Sequence, residues 1–261
     1  MSKKNKLDQY YTKPEIAKIL SLKMKDLYKD CSFIEPSAGL GAFSNNFEDI
    51  VSFDIDPKFE DCIERDFLSL TELDVPADIV FVGNPPFGFG GQLALKFLNH
   101  CAKLKCKAVG FILPRTFQKM FFQNNIDNCL HLIHEELLPK KSFILDGEEY
   151  DVPCVFQIWE RGNPPRETVK AGDNVHFTKT NKELADMAVR RVGGKAGRVL
   201  DGLEHNESST YFLKSLTTKE DLCYKLKTIE SNLTSEAVKT AGVRSVSEDE
   251  IVYWLNNTPT N

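Results

Sequence analysis

The sequence predicts an α/β fold in which helices cover a mostly parallel β-sheet. Two observations support this prediction. Residues 80–83 and 108–113 are continuous apolar runs, which is the pattern of parallel strands that are buried on both faces. Residues 14–27 and 93–104 instead show the three- and four-residue apolar spacing of helices. Open sheets of this kind bind ligands at the carboxyl ends of their strands, so functional residues should follow the apolar runs.

Length and composition lead us to expect a soluble chain of one large or two small domains. The 261 residues are 41% apolar, and no apolar run approaches the length of a membrane-spanning helix. The basic stretch at residues 3–6 lacks the apolar segment of a signal peptide, and we interpret it as a solvated terminus. We therefore expect a cytoplasmic protein, with the nucleoid or nucleus as alternatives.

Charge and cysteine content bear on whether the protein binds nucleic acid or a metal ion. The net charge of −5 does not by itself predict a nucleic-acid-binding protein. From Arg166 onward, however, 14 basic residues balance 14 acidic ones, so a local basic face is compatible with the sequence. The seven cysteines form no Cys-x-x-Cys pair, and no histidine pair has zinc-binding spacing. We expect reduced, mostly buried thiols and no metal site.

The first ordered element should be a helix that begins at Pro14. Proline is favoured in the first turn of a helix, and Thr12 is a candidate cap. The apolar face would consist of Ile16, Ile19, Leu20, Met24 and Leu27. The preceding residues 8–13 (Asp-Gln-Tyr-Tyr-Thr-Lys) either contribute to a site or pack on the edge of the domain.

A short strand at residues 32–34 runs into the turn Glu35-Pro36-Ser37-Ala38-Gly39-Leu40-Gly41. The two glycines allow a sharp turn and close approach of a ligand, and we expect a helix to begin near Ala42 with its N–H groups facing that ligand. Alone, a Gly-x-Gly turn is weak evidence, because it is more often a plain connection between a strand and a helix.

The next two predicted strands also end in acidic residues. Residues 50–54 end at Asp54, which lies 15 residues after Gly39, and Asp56 follows one step past the strand tip. A carboxylate in this place can bind the ribose hydroxyls of a nucleoside ligand. The predicted strand at residues 62–68 carries Asp66 and Phe67 near its end. Asp66 can accept a hydrogen bond from the amine of an adenine, and Phe67 can stack on its face.

The fourth strand, residues 80–83, ends in Asn84-Pro85-Pro86-Phe87. Two prolines cannot continue a sheet, so the chain must leave it as a rigid turn that fixes the Asn amide and the Phe ring. Each strand-end signal alone favours a structural role. Four of them in this order favour a binding site.

These blocks resemble the S-adenosylmethionine-dependent adenine-N6 methyltransferases of nucleic acid. The order of motifs is that of the gamma class of restriction–modification enzymes, and residues 53–58, 66–68 and 83–88 are the most specific blocks. That class usually has tyrosine in place of Phe87 and a larger recognition domain, and Asn-Pro-Pro-Phe is also similar to RNA methyltransferases that modify ribosomal RNA. The resemblance implies a Rossmann-like, seven-stranded class I methyltransferase sheet with a small C-terminal α/β extension.

The resemblance also implies a role for each motif. Asn84 and the Pro85 carbonyl would accept the two hydrogens of an adenine amine, beside Pro86 in the same turn, and Phe87 would stack on the flipped base. No general base is needed before attack. The implied cofactor residues are Tyr11, Thr12, Glu35 and Ala38 for the methionine end, Asp54 for the ribose, and Asp66 and Phe67 for the adenine. Pro36, Gly39 and Asn84 are further implied cofactor contacts. Asp56 is the weaker candidate for the ribose.

Further strands should complete this domain. We expect strands at residues 108–113 and 130–138, a hairpin around Asp146-Gly147, and an antiparallel strand at residues 154–159 that closes the sheet. Residues 89–91 are either a loop beside the site or the entry to the helix at 93–104. Arg115 and Phe117 either face the substrate or have a structural role. Phe143 is either a second aromatic against the base or a core residue.

We place the domain boundary at Gly162-Asn163-Pro164-Pro165, between a catalytic domain at residues 1–161 and a recognition segment at 166–261. In the second part we expect helices at residues 181–192, 233–240 and 251–256 and a strand at 210–213, with a capping box between Ser247 and Glu250. The last two helices hint at a helix-turn-helix motif, although Glu248 occupies a position that should be apolar. The basic residues Arg190, Arg191, Lys195 and Arg198 either follow phosphates or form a solvated turn.

The leading interpretation is an enzyme that methylates N6 of adenine in nucleic acid. DNA is favoured, because RNA enzymes with this motif usually end soon after the last strand of the sheet. The alternatives are an RNA adenine methyltransferase, a methyltransferase for a glutamine amide in protein, and a catalytically silent nucleic-acid-binding protein.

Overall fold

The computed structural model describes residues 10–259, which form two compact units. The first unit comprises the described residues up to Phe117 together with Phe121–Thr168, and the second comprises Gln118–Met120 and the chain from Val169 onward. The predicted basic arm at residues 3–6 and the start of the Asp-Gln-Tyr-Tyr-Thr motif lie outside the described residues.

The first unit contains two sheets and three helices. The strands are β1 (Tyr11–Thr12), β2 (Phe33–Glu35), β3 (Ile50–Asp54), β4 (Cys62–Glu64), β5 (Val80–Gly83), β6 (Ala108–Pro114), β7 (Leu130–Leu137), β8 (Phe143–Leu145), β9 (Glu148–Tyr150) and β10 (Cys154–Arg161). The helices are α1 (Pro14–Leu27), α2 (Gln92–Lys103) and α3 (Met120–Asn125), of which the last includes Met120 of the second unit.

The main sheet has seven strands in the order β4-β3-β2-β5-β6-β10-β7. Strands β2 to β6 are parallel, and β10 is antiparallel to both of its neighbours. This is the predicted Rossmann-like sheet of class I methyltransferases. The strand predicted to close the sheet, β10, instead lies between β6 and β7. From β2 the chain continues outward to β3 and β4, and from β5 it continues outward to β6 on the opposite side. The connections after β2 and β5 therefore lead away from each other, which opens a crevice at the carboxyl ends of these two strands.

Helix α1 has the predicted bounds but a different buried face. Its buried residues are Ala17, Leu20, Ser21 and Met24, whereas Ile19 and Leu27 are more than half exposed. Thr12 does not cap the helix, because Lys13 occupies the cap position without a side-chain hydrogen bond.

The helix predicted near Ala42 is wrong. Between β2 and β3 the described chain forms only a single 3-10 turn, Ser44–Asn46. The Asn46 side chain donates a 2.7 Å hydrogen bond to the carbonyl of Ala42, the group that a continuing helix would use. The third strand is also shorter than predicted: it ends at Glu64, and Asp66 caps a 3-10 turn at Phe67–Ser69.

The second unit is a four-stranded antiparallel sheet with two helices. Its elements are β11 (Phe177–Thr180), β12 (Met187–Arg190), β13 (Val199–Leu200), β14 (Thr210–Ser215), α4 (Lys219–Ala237) and α5 (Glu248–Asn257), and the strand order is β11-β14-β12-β13. The helix predicted at residues 181–192 is wrong. Leu184, which completed its apolar pattern, is 62% exposed, while Met187, Ala188 and Val189 are buried in β12.

The C-terminal helices differ from a helix-turn-helix motif. The capping box of Ser247 and Glu250 is confirmed at the start of α5. Helix α4, however, begins at Lys219, far ahead of the predicted residue 233. Residues 238–247 then separate α4 from α5, which is longer than the short turn of a DNA-binding helix pair.

Candidate active site

The first unit contains a cavity of about 460 Å³ at the carboxyl ends of β2, β3 and β5. This volume lies within the range of small-molecule sites. The predicted cofactor and catalytic residues all line it: Tyr11, Thr12, Glu35, Pro36, Ala38, Gly39, Asp54, Asp66, Phe67, Asn84, Pro85, Pro86 and Phe87. The cavity therefore connects the turn at Gly39 with the turn at Asn84.

Asp54 fixes the loops at one end of this cavity. One carboxylate oxygen accepts a 2.8 Å hydrogen bond from Gly39 N, and the other accepts a 2.9 Å hydrogen bond from Asp56 N. Gly39 has φ +52°, and a Cβ there would lie 3.2 Å from the Tyr11 ring, so a side chain would strain the turn. A carboxylate can accept about four hydrogen bonds, so Asp54 retains capacity for hydroxyl groups.

Asp56, the weaker candidate for the ribose, forms a close ion pair with Lys58. Lys58 also lines the cavity, although sequence patterns gave it no role. The same is true of Ile55 and Leu68, which directly follow Asp54 and Phe67 in the chain. An apolar residue immediately after a strand-end motif was the signal that could have identified them.

Glu35 is the most deeply buried acid of the cavity. Its side chain is 2% exposed and accepts hydrogen bonds from the backbone N of Ser44, at 2.9 Å, and from the Ser44 hydroxyl. Burial raises the pKa of Glu35 to about 8, although the Ser44 hydrogen bonds oppose that shift. At neutral pH this carboxyl is therefore largely protonated, and a cation placed beside it would favour its ionised form.

Asp66 and Phe67 lie farther along the same wall. Asp66 accepts a 2.9 Å hydrogen bond from Leu68 N. The Phe67 ring is 1% exposed and packs against Phe81, Phe97 and His100, with centroid distances of 5.4, 5.0 and 4.9 Å. Little of this ring remains for the predicted stacking on an adenine.

Asn84 presents an acceptor at the other end of the cavity. Its Nδ2 donates a 2.9 Å hydrogen bond to the carbonyl of Tyr10, and its own carbonyl accepts one of 3.2 Å from Ser37 Oγ. Its side-chain oxygen, Oδ1, is buried and has no hydrogen-bond partner among residues 10–259. A buried acceptor without a partner is costly, so this atom marks a place for a donor from a ligand.

The turn after Asn84 is rigid. Pro85 and Pro86 fix the backbone, and the Phe87 carbonyl accepts hydrogen bonds from Leu93 N and Ala94 N at the start of α2, at 3.1 and 3.3 Å. Phe87 itself is 8% exposed and lines the cavity.

Tyr10 belongs to the motif at residues 8–13, but it was not among the residues predicted to contact the cofactor or the base. It lines the cavity, and its ring stacks on Phe87 and on Tyr150. Phe143, predicted as a possible second aromatic beside the base, is fully buried and is not among the lining residues. It contacts the edge of Tyr10 instead, with centroids 6.5 Å apart. Phe117 is likewise fully buried in the core, so of the two alternatives for it the structure favours the structural one.

The predicted basic residues all belong to the second unit. Arg190 is the last residue of β12, and its guanidinium donates to the Ser209 hydroxyl. Arg191 is exposed and lies over the Tyr211 ring at 5.6 Å, Lys195 is exposed, and Arg198 pairs with Glu230 at 3.3 Å. Residues 191–198 form a turn-rich segment that we call the basic loop.

Arg244 joins the basic loop through its backbone. Its carbonyl accepts a 2.9 Å hydrogen bond from Gly193 N, and its exposed side chain donates to the Gly194 carbonyl at 3.4 Å. Sequence patterns could not identify Arg244, because it lies far from residues 191–198 in the chain. With it, the basic loop and its contact Arg244 carry four exposed cations.

The structure also bears on metal binding, on thiol chemistry and on membrane-spanning helices. Within the described range, no group of three His, Cys, Asp or Glu side chains could hold a metal ion. All seven cysteines are free thiols, and burial raises the pKa of Cys62 to about 11 and of Cys106 to about 12, which favours the protonated thiol of both at neutral pH. Among residues 10–259, no helix is long and apolar enough to cross a bilayer.

Two solved structures are similar to part of this chain. One, from Pyrococcus horikoshii, is provisionally assigned as an RNA methyltransferase; it has 16% sequence identity, covers 59% of this chain and 87% of its own, and gives a TM-score of 0.47. The other, from Thermoplasma acidophilum, has 13% identity, covers 57% of this chain and 98% of its own, and gives a TM-score of 0.35. Both likenesses are too distant to bear on substrate.

The sequence itself gives a more specific match. No curated protein matches the chain. Residues 42–165, slightly less than half of the chain, match the family profile of the EDM2 methyltransferase-like domain. This segment includes β3 to β10 and the turn at Asn84, whereas the turn at Gly39 precedes it. Residues 42–165 are therefore similar to a methyltransferase-like domain, and the strand order of the sheet agrees with that similarity.

Proposed function

We propose that this chain transfers a methyl group from S-adenosylmethionine to the N6 amine of adenine in nucleic acid, with DNA as the favoured polymer. One observation supports this most. Asn84 Oδ1 is buried and has no hydrogen-bond partner in the described part of the chain, and Asn84 lines the same cavity as Glu35, Asp54 and Asp66.

The residues of the cavity fit the cofactor. Glu35, Asp54 and Asp66 are three separate acceptors, which suit an ammonium group, a ribose diol and an adenine amine. Thr12 Oγ1 is also buried and without a hydrogen-bond partner in the described part of the chain, so it can serve the methionine end. When bound, the cofactor supplies an electrophilic methyl group on its sulfonium.

The turn at Asn84 accounts for activation of the substrate. An adenine amine is a poor nucleophile, because its lone pair is delocalised into the ring. Two acceptors, Asn84 Oδ1 and the Pro85 carbonyl, would hold its two hydrogens and favour a pyramidal nitrogen. Catalysis would then come from positioning and from complementary charge, and a base would have to leave its stack to reach the turn.

The second unit supports a nucleic-acid substrate. The basic loop and Arg244 present exposed cations that can neutralise phosphates, although the net charge of the whole chain is −5. The presence of this unit beyond the sheet favours DNA over RNA, because RNA enzymes with the Asn-Pro-Pro-Phe motif usually end soon after the last strand of the sheet. The glutamine-amide alternative uses the same planar geometry but does not need these cations.

Labelled methyl transfer from S-adenosylmethionine tests the proposal. Duplex DNA, single-stranded DNA, ribosomal RNA and a glutamine-bearing protein would be offered separately, and the product would be identified as N6-methyladenine or methylglutamine. Asn84→Ala should lower kcat at least about 100-fold. Asn163→Ala is the matched control, because the exposed Asn163 begins a second Asn-Pro-Pro outside the cavity. Transfer to the glutamine-bearing protein alone, or no transfer at all, would refute the proposal.

A further inference from the structure

We infer that Tyr10 and Phe87 form an aromatic clamp that holds the substrate base between their rings. This inference rests on the proposed function, because it assigns the base-binding part of the same cavity. It places the second aromatic face on Tyr10, whereas Phe143 is fully buried and outside the cavity lining.

The Tyr10 and Phe87 rings already pack against each other on the cavity wall. The centroids of Tyr10 and Phe87 are 6.3 Å apart, and their planes are inclined by 27°. Tyr10 also stacks on Tyr150, at a shorter centroid distance of 5.4 Å and a smaller inclination of 20°. Stacked bases lie about 3.4 Å apart, so a base between two rings separates them by about 7 Å. The 6.3 Å centroid distance is ordinary for two rings in direct offset contact, so Tyr10 and Phe87 must move apart to admit a base.

The clamp is tied directly to the acceptor for the amine. The Tyr10 carbonyl accepts the 2.9 Å hydrogen bond from Asn84 Nδ2 that fixes the orientation of the Asn84 amide. Asn84 Oδ1 is buried, so a substrate amine can reach it only if neighbouring groups move. Separation of the Tyr10 and Phe87 rings would provide this access and would place the base between them.

The β8–β9 hairpin packs against the Tyr10 ring. Strand β1 pairs with β8, where Thr12 lies opposite Phe143, and Phe143 in turn lies opposite Tyr150 of β9. Tyr150 stacks on Tyr10, and Phe143 contacts its edge at 65° between the ring planes. Because Tyr150 and Phe143 pack against Tyr10, the hairpin restrains this ring, and the two rings would separate mainly by rotation of the Phe87 side chain.

Two stacking faces also determine the substrate class. A nucleobase has a large π-surface on each side, and stacking on aromatic rings contributes to binding for every base. A glutamine carboxamide is planar but offers much less area to a pair of rings. The clamp therefore favours a nucleobase over an amide side chain, although Asn84 could bind the NH2 group of either.

Two variants of Tyr10 test the role of its ring separately from that of its backbone carbonyl. Tyr10→Leu removes the ring but keeps the carbonyl that holds Asn84, and Tyr10→Phe restores the ring. We expect Tyr10→Leu to lower kcat/KM for adenine methylation about 10- to 100-fold, mainly through KM, and Tyr10→Phe to remain close to wild type. Tyr224→Leu is the control, because this exposed tyrosine of α4 lies outside the cavity lining. Circular dichroism and cofactor affinity would verify that the variants fold.

A spectroscopic measurement tests stacking itself. Oligonucleotides with 2-aminopurine at the target position would be bound to wild type, Tyr10→Leu and Tyr10→Phe. Stacking quenches this fluorophore, so the Tyr10→Leu complex should be brighter than the other two. Unchanged kcat/KM and unchanged fluorescence in Tyr10→Leu would overturn the clamp and leave the proposed function intact. A wild-type protein that methylates no adenine would refute the proposed function, and the clamp with it.

Discussion

Asn84 donates a 2.9 Å hydrogen bond from Nδ2 to the carbonyl oxygen of Tyr10, which lies 74 residues earlier in the chain. A carbonyl only accepts, so this contact determines which end of the Asn84 amide is the oxygen. Oδ1 is thereby left as a buried acceptor without a partner in the described chain. The acceptor on which the proposed chemistry depends is therefore set by two residues from separate segments.

The first prediction concerns Asn84→Asp. At pH 8 the introduced carboxylate would place an oxygen against the Tyr10 carbonyl and repel it, so we expect kcat to fall at least about 100-fold. As pH falls, the carboxyl would become protonated and could donate to that carbonyl, so part of the activity should return. The pH dependence of kcat measures this, with Asn163→Asp as the control variant. A pH-independent loss would contradict the proposed role of the Tyr10 contact.

The second prediction concerns the pH dependence of stability through Glu35. Its pKa is raised from 4.5 to about 8 in the folded protein, so between these values the native state binds more protons than the unfolded state. Stability contributed by this group should therefore fall as pH rises from about 4.5 to 8, by at most about 1.4 kcal/mol per pH unit, and then level off.

Urea unfolding of wild type and Glu35→Gln between pH 5 and pH 9 measures this dependence. The glutamine variant should be the flatter of the two and the more stable at pH 9, because it avoids a buried charge. Equal slopes in the two proteins would show that Glu35 ionises freely in the native state.

Local sequence patterns predicted most strands of the main sheet, but not the position of β10 within it or the connections between strands. Continuous apolar runs such as Ala108–Pro114 predict buried parallel strands, and the proline pair after Gly83 predicts where β5 ends. The helix predicted near Ala42 failed because the Asn46 side chain takes the carbonyl that a helix would have used. That competition depends on one hydrogen bond and leaves no periodic signal.

Sequence patterns predicted the strand-end residues of the cavity but could not supply its aromatic arrangement. The acids and the turn at Asn84 follow strands directly, and parallel strands place their carboxyl ends together. Tyr10, Phe87 and Tyr150, in contrast, meet only because β1 pairs with the β8–β9 hairpin. A two-residue strand such as β1 has no periodicity from which this pairing could be predicted.

A third prediction tests whether the basic loop is held rigidly against α4. Gly197 has φ +88°, and a Cβ there would lie 2.6 Å from backbone atoms of Leu233 and Thr234 in α4. Gly197→Ala combines backbone strain with a clash against a helix, so we expect a loss of about 3 kcal/mol in the free energy of unfolding of the second unit. Gly194→Ala, in the same loop, meets no atom within 4 Å of its Cβ and should change stability by less than about 0.5 kcal/mol. Chemical denaturation of both variants measures the difference, and similar stabilities would contradict the tight contact.

A fourth prediction concerns the phosphate contacts of the basic loop. If Lys195 and Arg244 neutralise phosphates, each alanine variant should weaken DNA binding similarly for all sequences and reduce the slope of log K against log salt by about 0.9. The methyl-transfer rate at saturating DNA should stay near that of wild type, because neither residue lines the cavity. Binding of a fluorescent duplex between 50 and 300 mM salt measures the slope. Lys227→Ala is the control, since this exposed lysine of α4 lies outside the basic loop. If Lys195→Ala and Arg244→Ala keep the wild-type slope, the basic loop is a solvated surface and substrate binding must depend on other residues.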